Sequence, residues 1–162
     1  MNIEVAYVRK NNNESISEII ERRLCGALED LRIPDGIDIP DSYEVFLANN
    51  EKRKVAVSAP VNGWITVIES KEVNDYAMLF EISKELQTEV IAIVQSGAIG
   101  AWGYVKMKSG EVVQSRFSEE DDDIEGLIED FKTSNGITEP FYLFREAIQR
   151  RTDGWLIIQR HN

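Results

Sequence analysis

Only one cysteine, Cys25, and one histidine, His161, occur in the 162 residues. No intramolecular disulfide is possible, and a Cys- or His-rich zinc site is excluded. The histidine is the penultimate residue, where chain ends fray, so it is badly placed to activate a serine or cysteine nucleophile. Apolar runs are short; none approaches the roughly 20 residues of a membrane-spanning helix. The start, Met1-Asn2-Ile3-Glu4-Val5, lacks the basic segment and apolar run of a signal peptide. A cytoplasmic location without membrane attachment is expected. Basic residues are scarce: 18 against 29 acids gives a net charge of −11. Such a surface repels phosphate backbones, so no nucleic-acid partner is expected, and it steers toward basic proteins.

The clearest positive signal is Asn62-Gly63, between the alternating runs Lys54–Ala59 and Trp64–Glu69. Both residues tolerate positive φ, as a two-residue hairpin turn requires. A strand is read at Ile3–Val8. Ser15 and Glu18 form a capping-box pattern ahead of an amphipathic helix over 16–32, with Ile16, Ile19, Ile20, Leu24, Leu28 and Leu31 inward. Cys25 is read as a small packing residue there. Strands are predicted at Tyr43–Asn49, Arg53–Ala59 and Trp64–Glu69.

A second helix, 75–86, is expected behind an Asn74 cap. Glu89–Gln95 contains Val90-Ile91-Ala92-Ile93-Val94, the pattern of a central strand covered on both faces. Ala101–Lys108 and Val112–Phe117 form a hairpin around Ser109-Gly110. Ser118 is read as the cap of a third helix ending at Asn135-Gly136. Thr138 and Pro140 begin a fourth, and Trp155–Gln159 is a last strand. The expected fold is α+β, one domain over 1–162: a mainly antiparallel sheet, helices packed chiefly on one face, and two further C-terminal helices.

The first eight elements read as strand-helix-strand-strand twice. That order resembles the duplicated module of gyrase-inhibitor-like ligand-binding domains. The resemblance implies two modules side by side with a small molecule between them, although no family carboxylate maps onto a residue of this chain. Segment 64–117 looks like uncharacterised bacterial α+β domains, which implies no function.

Motifs for chemistry are weak. Asp121, Asp123, Glu125 and Gly126 partly mimic a calcium loop, but Lys132 stands where the bidentate glutamate belongs. The acids fit a first helical turn instead. Ser96–Gly103 is Gly-rich, but a strand follows where a phosphate cradle needs a helix, and no lysine lies in the loop. No metal and no cofactor are expected. Along Ala101–Lys108 one face carries Trp102, Tyr104, Lys106 and Lys108. The lysines suggest an open face, so Trp102, Tyr104 and Lys106 are read as ligand- or partner-binding residues. The alternative is that a helix at 121–131 or 140–150 covers the rings while the lysines reach out to water.

Three function classes follow. The leading one is a non-catalytic protein-interaction module for a basic partner. The second is a small-molecule-binding domain with a cleft between modules. The third is an enzyme using a carboxylate pair whose pKa values are pushed apart.

Overall fold

A computed structural model describes residues 2–28, 31, 52–96, 101–150 and 154–159. The strands are β1 (Asn2–Arg9), β2 (Lys54–Val57), β3 (Trp64–Glu69), β4 (Glu89–Ser96), β5 (Ala101–Lys108), β6 (Glu111–Phe117) and β7 (Leu156–Gln159). The helices are α1 (Glu14–Leu24), α2 (Tyr76–Glu85), α3 (Ile124–Asn135) and α4 (Phe144–Gln149). The expected strand at 43–49 and most of the Gly-rich loop lie outside the described residues.

All seven strands join one antiparallel sheet, ordered β6-β5-β4-β1-β3-β2-β7. Its centre is the run β1-α1-β2-β3-α2-β4 with strand order 4-1-3-2, the ferredoxin-like split βαβ arrangement. The β5–β6 hairpin widens one side and β7 the other. The fold class is α+β. No helix among the described residues is long and apolar enough to cross a membrane.

Strand alternation makes two apolar faces, and each is covered. Ala6, Val8, Ile65, Val67, Val90, Ala92, Val105 and Met107 meet Ile16, Ile20 and Leu24 of α1 and Met78, Leu79 and Ile82 of α2. Val5, Tyr7, Trp64, Ile91, Ile93, Trp102 and Tyr104 meet Phe131 of α3, Ile137 and Tyr142 of the connection that follows it, and Ala147 of α4. Helices α1 and α2 thus share one face, and the two C-terminal helices cover the other. A second row of large apolar side chains leaves no face of the central strands free for water.

Both hairpin turns have the backbone their residues call for. Asn62 and Gly63 have φ of 54° and 82°, Ser109 and Gly110 of 50° and 82°. Helix ends depart from the sequence reading in five places. Helix α1 starts after Asn13 rather than at Ser15, and the Asn13 amide donates to the Ser58 carbonyl. It stops at Leu24 because Gly26, at φ 89°, turns the chain left-handed. Asp75, not Asn74, caps α2 by accepting from the Met78 N–H at 3.1 Å. Asn74 instead donates to the carbonyls of Val5 and Ile93. Helices α3 and α4 begin after Asp123 and Leu143, later than Ser118 and Thr138 suggested. The Ser118 hydroxyl oxygen instead accepts from the Trp102 N–H near the start of β5. Cys25 is exposed, since the turn after α1 carries it out of the packed face.

Candidate functional site

Helix α3 decides the fate of the aromatic pair. Ile124, Leu127 and Ile128 settle against the second sheet face, and Phe131 is buried there. Its ring centroid lies 5.3 Å from Trp102 and 4.9 Å from Tyr104, and those two rings stand 5.6 Å apart. Trp102 is 2% exposed and Tyr104 9%. The expectation that this face lies open is thus corrected: the rings are covered, and only the lysine end of β5 reaches water. Lys108 is exposed, whereas Lys106 is half-buried, 3.3 Å from Asn135 Oδ1 and 3.6 Å from Glu89 Oε1.

A groove of about 320 Å³ runs between α3 and the β5–β6 hairpin. Trp102, Tyr104 and Lys106 line it, so the structure brings all three sequence-predicted residues to one cavity. Arg116 and Gln114 of β6 and Asp130 of α3 complete its polar walls. The Trp102 indole N–H is buried and has no hydrogen-bond partner among the described residues. Sequence reasoning missed Gln114 and Arg116, although cross-strand register places them opposite Lys106 and Tyr104.

Asp130 in this lining belongs to a dense run of acids. Between Phe117 and Phe131 the chain carries eight acids and no lysine or arginine. All of them except Asp122 are exposed, and none forms an ion pair among the described residues. They follow the chain into α3 and line its outward side. The first-turn acids sit at the positive end of the helix dipole, which stabilises them modestly and leaves the negative field of the rest intact. Among the described residues no cluster of His, Cys, Asp and Glu is arranged to hold a metal.

A second charged group is sealed inside. Arg53 Nη2 lies 3.0 Å from Glu69 Oε2 and 2.8 Å from Asp75 Oδ2, and Arg23 Nε lies 2.8 Å from Asp75 Oδ2. Arg53, Glu69 and Asp75 are 1%, 3% and 2% exposed. Burial pushes the Glu69 carboxyl up to about 7 despite the Arg53 charge. Burial would also raise Asp75, but Arg53, the bonds from Arg23 and the Met78 N–H outweigh it and hold it below its ordinary value. The two carboxylates are thus pushed apart, yet Arg53 and the start of α2 engage them, and they line none of the cavities described here. This cluster ties β2, β3, α1 and α2 together. Its sequence signal was Glu69, which falls in step with Ile65 and Val67 on an otherwise apolar strand face.

No family model, curated protein or solved structure matches this chain.

Proposed function

We propose that this protein is a non-catalytic binding module whose acidic α3 ridge, residues 119–130, engages a basic protein partner. One observation carries the reading: eight of the 29 acids stand in twelve consecutive residues, all but Asp122 exposed and none in an ion pair among the described residues. Surface charge of one sign that is left without internal partners speeds encounter with oppositely charged proteins and selects among them. The groove at the foot of the ridge adds shape. Tyr104 and Phe131 offer ring edges, Asp130 a carboxylate and Lys106 a positioned cation, enough to seat one anchoring side chain of the partner over the floor made by Trp102.

A peptide array tests this. Wild-type protein should be retained by Lys/Arg-rich peptides over neutral and acidic peptides of matched length, and salt should weaken that retention. Equal retention by all three classes would contradict it.

The groove itself favours a second reading, a small-molecule-binding domain, because its volume lies at the lower end of ligand sites. The ligand would then sit between α3 and the β5–β6 hairpin. Quenching of tryptophan fluorescence across a metabolite library, abolished in Arg116→Ala, would support this reading over the first.

A further inference from the structure

The groove beside α3 holds two opposite charges that do not pair. Arg116 enters it from β6, where the register sets that residue beside Tyr104. Asp130 enters from α3, on the stripe of Leu127, Phe131 and Ser134 that recurs at i, i+3, i+4 and i+7 and lines the same groove. Arg116 is the one lysine or arginine between Lys108 and Lys132, and eight acids stand in the fourteen residues that follow it. Among the described residues it forms no ion pair and no side-chain hydrogen bond with any of them, and Asp130 has no cationic partner either. Lys106, the third charge in the lining, is already engaged by Asn135 Oδ1 at 3.3 Å and Glu89 Oε1 at 3.6 Å.

These groups restrict what fits. A simple anion would suit Arg116 but would have to cross the field of the acids and of a chain whose net charge is −11. A simple cation would be drawn in by that field and then face Arg116 and Lys106. A zwitterion has no net charge to be repelled and offers one group to each wall. Its carboxylate matches the guanidinium fork of Arg116, and its ammonium matches Asp130. Trp102, Tyr104 and Phe131 are at most 9% exposed, so ring contact adds little and recognition rests on charge and hydrogen bonds.

We propose that the groove binds a free α-amino acid, its carboxylate on Arg116 and its ammonium on Asp130. Gln114 and Ser134 supply an amide and a hydroxyl beside these two charges. The proposal rests on the small-molecule reading of this groove and names the class of ligand.

An NMR titration of the full chain with each common amino acid tests it, read at the indole N–H of Trp102. That N–H is buried and without a hydrogen-bond partner among the described residues, so its resonance should respond to charges arriving in the groove. At least one amino acid should shift it saturably at millimolar concentration or below. The N-acetyl and carboxamide derivatives of that amino acid should each bind roughly ten-fold or more weaker, the loss expected for one charged hydrogen bond. Arg116→Gln should weaken the amino acid by a like factor and leave the carboxamide unchanged. Asp130→Asn should weaken the amino acid and leave the N-acetyl form unchanged. Both side chains are exposed, so neither substitution should unfold the chain. Derivatives that bind as well as the amino acid, or variants that weaken every form alike, would overturn the zwitterion. If no amino acid shifts the resonance while a library compound lacking one of the charges does, small-molecule binding stands and this proposal falls. If nothing binds, both fall.

Discussion

The indole N–H of Trp64 donates to the backbone carbonyl of Asn135 at 2.7 Å, joining the first residue of β3 to the last of α3. Around that bond the Arg9 guanidinium stacks 3.9 Å above the Trp64 ring and also reaches the Asn135 carbonyl. The Asn62 amide donates to Gly136 O at 2.8 Å. The hairpin turn legible in the sequence thus doubles as the dock for the end of the helix that carries the acidic ridge. Trp64→Phe keeps most of the packing and removes the donor. It should cost about 1–3 kcal/mol in urea melts, the range for losing a part-buried hydrogen bond. A cost near zero would show that α3 is held by its apolar side alone.

Trp102→Ala and Tyr104→Ala should each lose about 3–5 kcal/mol of stability, because both rings are packed beneath Phe131. Denaturant melts that match the parent would mean that α3 does not cover this face in solution.

Gly103→Ala should destabilise through a specific clash. A Cβ there would run into Phe117 Cδ1 and stand 2.8 Å from the Arg116 carbonyl oxygen, so the ring that lies across the strand must swing away and the backbone must shift. The double variant Gly103→Ala/Phe117→Ala should recover part of the loss in thermal melts, the remainder being the backbone clash with Arg116 O, and recovery of nothing would place all the damage in the backbone.

Much of this architecture was readable beforehand. Asn62-Gly63, Ser109-Gly110 and Gly136 marked turns and a helix end because few residues tolerate positive φ. Ile16, Ile20 and Leu24 marked the inner side of α1 because helical periodicity is local. Covering of Trp102 and Tyr104 was not readable, since a strand face with rings at one end and lysines at the other fits either an open surface or a helix ending short of the lysines. Asn74 and Asp75 are both capping residues, and tertiary bonds to Val5 and Ile93, remote in sequence, decided between them. The Arg53 cluster needed long-range pairing to be seen.

The pH dependence of stability should carry the mark of that cluster. The unfolded chain releases the Glu69 proton near the ordinary value of 4.5, and the folded chain near 7. Between those values the folded state holds more protons, so stability falls as pH rises through the window. The fall should amount to about 1.4 kcal/mol per unit at most. Asp75 acts oppositely: its depressed pKa contributes stability above the ordinary value of 3.8, lost as pH falls further. Glu69→Gln should flatten the fall above pH 4.5 and leave the acid limb in place. Urea melts from pH 3 to 8 check both, and a variant that still weakens from pH 5 to 7 would assign the slope to other groups.

Cys25 should react with a small thiol reagent in the native protein at the rate of an exposed cysteine, because the turn after α1 presents it to solvent. Protection that disappears only on unfolding would contradict that placement.

The acidic ridge is the centre of the functional reading, and affinity for a Lys/Arg-rich peptide tests it most directly when charge is removed in two places. Glu120→Gln/Asp121→Asn/Glu125→Gln takes three charges from the ridge. Glu18→Gln/Glu21→Gln/Glu72→Gln takes three from exposed positions elsewhere. By isothermal titration calorimetry the ridge variant should bind roughly ten-fold or more weaker than the parent, a loss of about 1.4 kcal/mol, while the control stays within a factor of about two. Equal weakening of the two would mean that net charge, and not the ridge on α3, holds the peptide.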